Sequence, residues 1–277
     1  MQINLGVRLD VKLTFWAQLQ HAAGKTAKAK ASLSRLMANV GGPIASKRKL
    51  LMATNNAILL YGSEIWAENL KIVQRKQLIA VQRTGALRIA SAYQTVSAEA
   101  LFVIAGVIPI DLLAEERRRL WELRRNGINM HQYKASNIRQ HTISIWQERW
   151  KNSSAGRWTT RLVPNISTWI SREFGDTNYY TIQMLTGLGY FNKYLHRIQK
   201  VAETNCVYGD DDCDDVEHTF FRCIKWYYLR EELQREIWEI TPENIAMKMR
   251  RRTCFSRYTY IEGVRHTGLG DGLADGA

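Results

Sequence analysis

The period of apolar and polar residues changes from that of a strand to that of a helix within the first fifteen positions. Residues 3–11, INLGVRLDV, alternate apolar and polar side chains as a strand does, with Gly6 as a weak point. From Leu13 onward the spacing is helical. The apolar stripe of this first helix is formed by Trp16, Leu19, Ala23 and Ala27. We therefore predict one short N-terminal strand followed by helices.

Glycines and a proline divide the next segment into further helices. Gly41-Gly42 predicts the end of the first helix, and Pro43 stands where a first-turn proline is tolerated. Gly62-Ser63 predicts a break and a new helix start. In residues 71–89 the apolar side chains fall on nearly all sides, which predicts a helix that is buried from several directions. The core side of residues 45–66 is predicted to carry Leu51, Ile58 and Ile65.

The remaining chain also has a helical period, with polar interruptions. A charged helix follows Pro109, and residues 152–158, NSSAGRW, are a candidate linker. Residues 179–198 resume helical spacing, interrupted at Gly187–Gly189. The glycine-rich residues 263–277 show no apolar period, so we expect them to be disordered. The predicted fold class is mainly α-helical.

Apolar runs and cysteine usage exclude two classes of protein. The longest apolar run, residues 100–110, is about half of the roughly 20 residues needed to span a bilayer. The N-terminus lacks a basic start followed by an apolar core, so no secretory signal is predicted. The chain has four cysteines in 277 residues, which is not a disulfide scaffold. We expect an intracellular protein without a membrane partner.

The positive charge is concentrated in the first third of the chain. The formal net charge is +13, and residues 1–92 carry 14 Lys and Arg against three acids, a net charge of +11. Such a segment favours contact with a polyanion such as nucleic acid, although a merely solvated basic surface is the alternative. The candidate phosphate contacts are Lys25, Lys28, Lys47, Arg48, Lys49, Arg75, Lys76 and Arg83. Tyr61 and Trp66 are either base-stacking or core residues, and core packing is the favoured interpretation.

One short segment, CVYGDDDCDDVEHTFFRC at residues 206–223, admits two chemical interpretations. Residues 208–211 read Tyr-x-Asp-Asp, the signature that holds catalytic metal ions in polymerases. The same segment offers a set of soft and imidazole ligands for tetrahedral Zn²⁺: Cys206, Cys213, His218 and Cys223.

The surroundings of this segment favour zinc. A polymerase hairpin needs apolar strands around its aspartates, but the neighbours here are VAETNC and DCDDVEH, and six acids in residues 210–217 suit an exposed turn. The His-x4-Cys half can start a helix at Thr219, which places Cys223 about one turn beyond His218. The Cys-x6-Cys half is looser than the usual spacing, so a loop with incidental buried cysteines remains the alternative. The sequence contains no Walker loop, no Gly-x-Ser-x-Gly and no His-Glu-x-x-His.

Four blocks of the chain resemble a known family. They read SLSRLMANVGGPIASKRKLLM, ILLYGSEIWAENL, VQRTGALRIASAYQTVSAEALFVIAGVIPIDLLA and EHTFFRCIKW. These blocks resemble the C-terminal part of reverse transcriptase polyproteins of non-LTR (LINE-type) retrotransposons, especially the type-1 elements that insert into arthropod ribosomal RNA genes. The resemblance covers residues 6–226 and extends more weakly to about residue 249.

The resemblance implies an architecture and a function. It implies a palm-tail strand (1–12), a helical thumb that holds template and primer (13–105), a helical connector (106–200), a Cys/His knuckle (201–230) and a C-terminal helix with a disordered tail (231–277). The catalytic palm and the endonuclease of the family lie upstream of such a segment, so the Tyr-x-Asp-Asp string lies on the wrong side of the thumb. The expected partners are an RNA/DNA hybrid, element RNA or target DNA, with no small-molecule substrate.

This chain departs at one position from the knuckle pattern of the family that it resembles. That pattern is Cys-x2-Cys, eight residues, then His-x4-Cys, which matches Cys206, His218 and Cys223 but places Gly209 where the second Cys belongs. Cys213 could replace that ligand, or the site could be a decayed copy with three ligands and weak Zn²⁺ affinity.

Three functions are consistent with these observations. We expect a non-catalytic reverse transcriptase fragment that binds RNA or DNA through the basic thumb and the knuckle. The first alternative is a domesticated or pseudogene-derived interaction protein with no nucleic-acid activity. The second is a polymerase restored by a separate palm chain. The nucleus, favoured by the expected partner, or the cytoplasm is the expected location; residues 46–49 (SKRK) and 248–252 (KMRRR) are weak nuclear signals.

Overall fold

The computed structural model describes residues 2–34, 45–127, 135–172, 178–209 and 212–248. These residues are mainly helical, which confirms the predicted fold class. They divide into two compact units: unit 1 comprises residues 1–90 and 97–153, and unit 2 comprises residues 91–96 and 154–277. The predicted helix break at residues 41–43 and the predicted disordered tail at 263–277 lie outside the described residues. The domain boundaries implied by the family resemblance stay predictions.

The N-terminal residues form a hairpin and not the single strand that the alternation predicted. Strands β1 (Gln2–Asn4) and β2 (Val7–Leu9) pair antiparallel, with Asn4 opposite Val7. The two residues between them, Leu5 and Gly6, both have positive φ, 45° and 79°. This is the backbone that a two-residue hairpin turn requires. The weak point at Gly6 is therefore the turn itself.

Unit 1 continues with helices of very different lengths. They are α1 (Trp16–Ser34), α2 (Ala45–Leu59), α3 (Ser63–Trp66), α4 (Ile72–Ala90), α5 (Ala98–Ala105), α6 (Ile110–Arg125) and α7 (Ala135–Lys151). Helices α1, α2 and α4 contact one another pairwise, while α6 contacts α3, α4 and α7. Their shared core includes Leu19, Leu59, Trp66, Leu78 and Ile110. The prediction that α4 is packed on several sides is confirmed.

A break between α2 and α3 changes which residues face the core. Gly62 has a left-handed backbone (φ 71°) and precedes Ser63, the first residue of α3, as predicted. The seven-residue spacing from Ile58 does not continue across this break, so Ile65 is exposed, contrary to our prediction. Trp66 is buried instead and donates from Nε1 to the carbonyl of Tyr61 at 3.1 Å. The core interpretation is thus confirmed for Trp66 and wrong for Tyr61, whose side chain is exposed.

Gln82 on α4 fixes the start of α6. Its side chain is buried, and its Nε2 donates to the carbonyl of Ile108 at 2.9 Å while its Oε1 accepts from the N–H of Ile110 at 2.8 Å. Ile110 is the first residue of α6. A buried amide that satisfies two backbone groups at once holds the turn before α6 against α4.

Gln82→Leu is therefore expected to destabilise the chain by about 2 kcal/mol, because it keeps the volume but leaves a buried N–H and a buried carbonyl unpaired. Urea unfolding measures this. Gln20→Leu, the same change at an exposed position of α1, should stay within about 0.5 kcal/mol of the parent chain. Equal values for the two variants would contradict the role of Gln82.

Unit 2 is built from shorter helices around buried aromatic and amide side chains. Its regular elements are α8 (Arg157–Leu162), α9 (Ile166–Ile170), α10 (Tyr179–Thr186), α11 (Asn192–Arg197), a π-helical turn (His218–Arg222), a 3-10 turn (Ile224–Trp226), α12 (Tyr227–Ile237) and α13 (Pro242–Lys248). Trp158 and Thr159 on α8 donate to the carbonyls of Met184 and Leu185 at the end of α10. The predicted interruption at Gly187–Gly189 is confirmed, since α10 ends at Thr186 and α11 begins at Asn192. No helix in the ranges given above is long and apolar enough to cross a membrane.

Candidate metal centre and nucleic-acid surface

Three of the four predicted zinc ligands lie together in unit 2. Cys206, His218 and Cys223 are buried, and one ligand atom of each lies within 4.8 Å of the others. The two sulfur atoms are 3.8 Å apart. Two thiolates about 2.3 Å from one zinc ion lie about 3.8 Å apart at the tetrahedral angle, whereas a disulfide needs about 2.05 Å. The donor set and its spacing therefore fit a Zn²⁺ ion.

The first cysteine is held by a tight turn. The Gly209 N–H donates to the carbonyl of Cys206 at 3.0 Å, and the Tyr208 N–H donates to Cys206 Sγ at 3.5 Å. Gly209 has a positive φ of 74°, which closes the turn without strain at this glycine. This hydrogen bond helps to hold the sulfur in place, and the thiolate is the form of cysteine that binds a metal.

A π-helical turn brings the histidine and the last cysteine together. The turn starts at His218, and the N–H of Cys223 donates to the carbonyl of His218 at 2.8 Å. This i to i+5 bond folds the His-x4-Cys spacing so that both side chains reach the same buried point. The predicted position of Cys223, about one turn beyond His218, is confirmed in this form.

Two aspartates that are not among the predicted site residues position this turn. Asp215 Oδ1 accepts from the His218 N–H at 2.9 Å, and Asp214 Oδ1 accepts from the Thr219 hydroxyl at 2.9 Å. Asp214 is 1% exposed, so the expectation of a wholly exposed acidic turn is wrong at this residue. An aspartate three residues before His218 is a helix-cap signal that could have been recognised in the sequence.

Lys193 completes the environment of Asp215. Its Nζ lies 3.0 Å from Asp215 Oδ2. Burial raises the pKa of the Asp215 carboxyl, but the hydrogen bonds from the His218 N–H and from Lys193 outweigh it, so the pKa is lowered from its ordinary value. The carboxylate form is thereby favoured, and this form holds the first residue of the π-helical turn.

Cys213, the fourth predicted ligand, lies outside the group of three. Its side chain is half-buried, and its Sγ is 3.9 Å from Asp215 Oδ2. Gly209, which occupies the position of the family's second cysteine, has open space where a Cβ would be. In the described residues the structure thus gathers two thiols and one imidazole around one point.

The described residues around positions 208–211 do not form the strands that a polymerase hairpin needs. Tyr208 and Gly209 belong to the turn that follows Cys206, and residues 201–209 and 212–217 contain no strand. Asp210 and Asp211 lie outside the described residues. The segments that would have to form the arms of a catalytic hairpin are therefore turns and short helical stretches.

The predicted phosphate contacts lie on the three mutually packed helices of unit 1. Lys25 and Lys28 are on α1, Lys47, Arg48 and Lys49 on α2, and Arg75, Lys76 and Arg83 on α4. Five of them are exposed lysines: Lys25, Lys28, Lys47, Lys49 and Lys76. Burial lowers the pKa of His21 on α1, and the nearby positive charges of Arg8 and Lys25 lower it further.

Arg48 differs from its neighbours on α2. Its side chain is 4% exposed, and Nη1 donates to the carbonyl of Arg88 at 2.8 Å. Burial lowers the pKa of the Arg48 guanidinium, and the nearby Arg88 lowers it further. The expectation that Arg48 is a surface contact is wrong for this reason: it ties α2 to the last turn of α4.

Arg75 and Arg83 are also partly engaged. Arg75 Nε lies 3.5 Å from the buried carboxylate of Asp111, whose Oδ2 also accepts from Arg149 at 2.7 Å. Arg83 is half-buried. Among the predicted contacts, the exposed side chains are therefore mostly lysines on α1, α2 and α4.

Comparison with known proteins relates the chain to one class of mobile element. No protein-family model matches it, and no solved structure matches it either. It is 27% identical over 244 residues to a retrovirus-related Pol polyprotein from type-1 retrotransposable element R1 2 of Nasonia vitripennis, a match that covers 82% of this chain. It is 26% identical over 191 residues, 63% of this chain, to the Pol polyprotein from type-1 retrotransposable element R1 of Bradysia coprophila. The chain is a relative of R1-type retrotransposon Pol polyproteins.

The R1-type relatives are longer than this chain. It spans 59% of the length of the Nasonia Pol polyprotein and 19% of the Bradysia one. The chain thus corresponds to one part of an R1-type Pol polyprotein, and the predicted resemblance is confirmed.

Proposed function

We propose that this chain binds RNA and DNA through their phosphate backbones, as the thumb of a reverse transcriptase would, and that it is not itself a polymerase. The observation that carries the proposal is the set of exposed lysines on α1, α2 and α4, three helices that pack on one another within a segment of net charge +11. Sequence-tolerant binding follows from phosphate contacts, because they carry no base information. The relationship to R1-type Pol polyproteins supports nucleic acid as the partner.

The absence of polymerase activity is part of the same proposal. It is supported by the turn at Cys206–Gly209, which is held by hydrogen bonds to Cys206 and not by strands. Thiols and imidazole suit Zn²⁺, whereas polymerase chemistry uses hard cations held by carboxylates. Residues Cys206, His218 and Cys223 would hold a Zn²⁺ ion whose role is to cross-link the turn after residue 205 to the π-helical turn. A nucleic-acid partner favours the nucleus.

A salt series tests the backbone-binding proposal. We expect the purified chain to bind a labelled RNA/DNA hybrid and to lose on the order of 10³-fold in affinity between about 50 and 200 mM salt, as six or more phosphate contacts require. Fluorescence anisotropy measures both quantities. Lys47→Ala with Lys49→Ala should make the log–log salt slope shallower by about 2 and weaken binding at about 100 mM salt roughly tenfold, because both side chains are exposed. Arg48 is left unchanged because it is buried.

The matched control removes the same two charges elsewhere in unit 1. Arg124 and Arg125 are exposed in the last turn of α6, and their replacement by alanine should change the slope by less than half as much. A folded chain that fails to bind at low salt, or binds without salt dependence, would favour the interaction-protein alternative. Primer extension after a separate palm chain is added would contradict the non-polymerase part.

A further inference from the structure

Exposed aromatic residues lie close to both cysteines of the metal centre along the chain. Val207 and Tyr208 follow Cys206 directly, and residues 224–228, IKWYY, follow Cys223 directly. Of the two tyrosines on the first turn of α12, Tyr227 is 49% exposed and Tyr228 is 84% exposed. Exposure of two adjacent large aromatic residues next to a buried cluster is not required by packing, so it points to a surface that contacts a partner.

Contacts across the metal centre join the two segments. The ring of Tyr208 meets the buried ring of Trp226 edge-on, with centroids 6.3 Å apart and an interplanar angle of 84°. Lys225 Nζ lies 5.2 Å from the centroid of the Tyr208 ring. The backbone N–H of Trp226 donates to the carbonyl of Cys223 at 3.2 Å, so the residue whose ring contacts Tyr208 is hydrogen-bonded to a candidate metal ligand. Direct contacts therefore connect Tyr208 and residues 225–226 to the two cysteine segments of the metal centre.

We propose that this tyrosine surface, comprising Tyr208, Lys225, Tyr227 and Tyr228, stacks against unpaired bases of a single-stranded nucleic acid. The proposal rests on the proposed function in taking nucleic acid as the partner. It adds a second, chemically different site, because the lysines of unit 1 contact phosphates whereas tyrosine rings contact bases. Every base offers a π-face, so stacking on tyrosine is tolerant of sequence but requires that the base be unpaired.

The charges around the tyrosine surface support bases over phosphates as the main contact. Lys225 supplies a cation at the Tyr208 ring, and Arg222 and Arg230 lie in the same segment, with Arg230 donating to the carbonyl of Arg222. Glu231 and Glu232 follow one turn along α12 from Tyr227 and Tyr228, so the charges around the tyrosine surface are of both signs and largely offset one another. Carboxylates at this distance disfavour a tight grip on a phosphate backbone. Binding at this surface should therefore depend on the presence of bases and only weakly on salt, unlike binding at the lysines of unit 1.

Three variants and two probes test the proposal. The probes are a labelled single-stranded RNA of roughly 12 nucleotides, within the range of single-strand site sizes, and an abasic strand of the same length and charge. We expect Tyr227→Ala with Tyr228→Ala to weaken binding of the RNA about tenfold or more at about 200 mM salt, and to leave its salt slope unchanged. Tyr227→Phe with Tyr228→Phe keeps both rings and should retain the parent affinity. The abasic strand should bind the parent chain as weakly as the RNA binds the alanine variant.

The control is an exposed aromatic residue elsewhere. Trp121 on α6 is 42% exposed and carries Arg125 over its ring at 5.2 Å, so Trp121→Ala removes a similar aromatic–cation pair and should leave RNA affinity unchanged. Equal RNA affinity of the parent and the alanine variant, or equal affinity for RNA and abasic strand, would overturn the proposal. A change in oligomeric state of the alanine variant, measured by sedimentation, would assign the surface to a second copy of the chain instead.

The two proposals fail in different ways. Both proposals are supported if the alanine variant binds the single-stranded RNA more weakly and still binds the RNA/DNA hybrid with the same dependence on salt. If binding of the hybrid depends steeply on salt but the alanine variant binds the RNA as tightly as the parent chain, the backbone proposal stands and this one is overturned. A chain that binds neither the hybrid nor the single strand overturns both.

Discussion

Replacing Cys223 by serine is expected to lower the affinity for Zn²⁺ by at least about 10³-fold. Cys223 is fully buried, and its sulfur lies 3.8 Å from that of Cys206, so it supplies one of the ligands gathered around the centre. A hydroxyl is a poor replacement for a thiolate towards zinc, and removal of one of three protein ligands leaves only two. Titration with Co²⁺, followed by competition with Zn²⁺, measures the loss, because thiolate-to-cobalt charge-transfer absorption reports each bound cysteine.

Loss of the metal should also loosen part of unit 2. Metal binding is coupled to folding wherever the ligands are brought together only in the folded chain, and here they come from residues 12 and 5 positions apart. A chelator added to the zinc-loaded parent chain should therefore increase amide exchange in residues 204–226, and should have no such effect on the Cys223→Ser variant. Unchanged exchange in the parent chain would contradict a structural role for the ion.

Cys213→Ser is the matched control for this prediction. Cys213 lies outside the group of three, with its Sγ near Asp215, so its replacement should leave the Co²⁺ affinity within about threefold. The parent complex should then absorb as a centre with two thiolates. A loss as large as that of Cys223→Ser would instead show that Cys213 occupies the position vacated at Gly209.

The ligand set shows both the reach and the limit of sequence reasoning. The His-x4-Cys spacing predicted that Cys223 lies about one turn beyond His218. Residues five positions apart share a face in a π-helical turn but not in an α-helix, so the spacing alone did not specify that both side chains reach one point. The sequence does not predict whether Cys213 joins Cys206 at the centre, because the position of Cys213 depends on the path of a long polar loop and on the contact with Asp215. The sequence does not predict the tyrosine surface either, because the exposure of Tyr227 and Tyr228 depends on where α12 begins, which a sequence does not specify.

The helical period and the positions of basic residues likewise predict only in part which side chains are buried and which are exposed. The helical period gave the packed helices of unit 1 correctly, but the break at Gly62 shifted the buried position from Ile65 to Trp66. Among three consecutive basic residues on α2, the middle one is buried, because its long side chain reaches a backbone carbonyl at the end of α4. A count of basic residues therefore overestimates the charge that a polyanion can reach, and we expect Lys47 and Lys49 to account for the contribution of this helix.

Gly189→Ala is expected to destabilise unit 2 by about 3 kcal/mol or more. A Cβ at this position would overlap Gln183 Oε1 and would lie 2.8 Å from Gln183 Cβ. Gln183 is fully buried, and its Oε1 accepts from the N–H of Tyr190 at 3.0 Å. The methyl group must therefore displace a fully buried side chain, and the displacement breaks a buried hydrogen bond as well as the packing.

The same substitution at another glycine should change the free energy of unfolding in the opposite direction. Gly24 is an exposed residue within α1, and a Cβ there would meet nothing within 4 Å. Gly24→Ala should stabilise the chain by about 0.5 to 1 kcal/mol, because alanine loses less backbone freedom on forming a helix. Urea unfolding compares the two variants, and hydrogen exchange of the Tyr190 amide shows whether the Gly189→Ala loss is local. Equal stabilities would mean that the Gln183 side chain can leave its site at little cost.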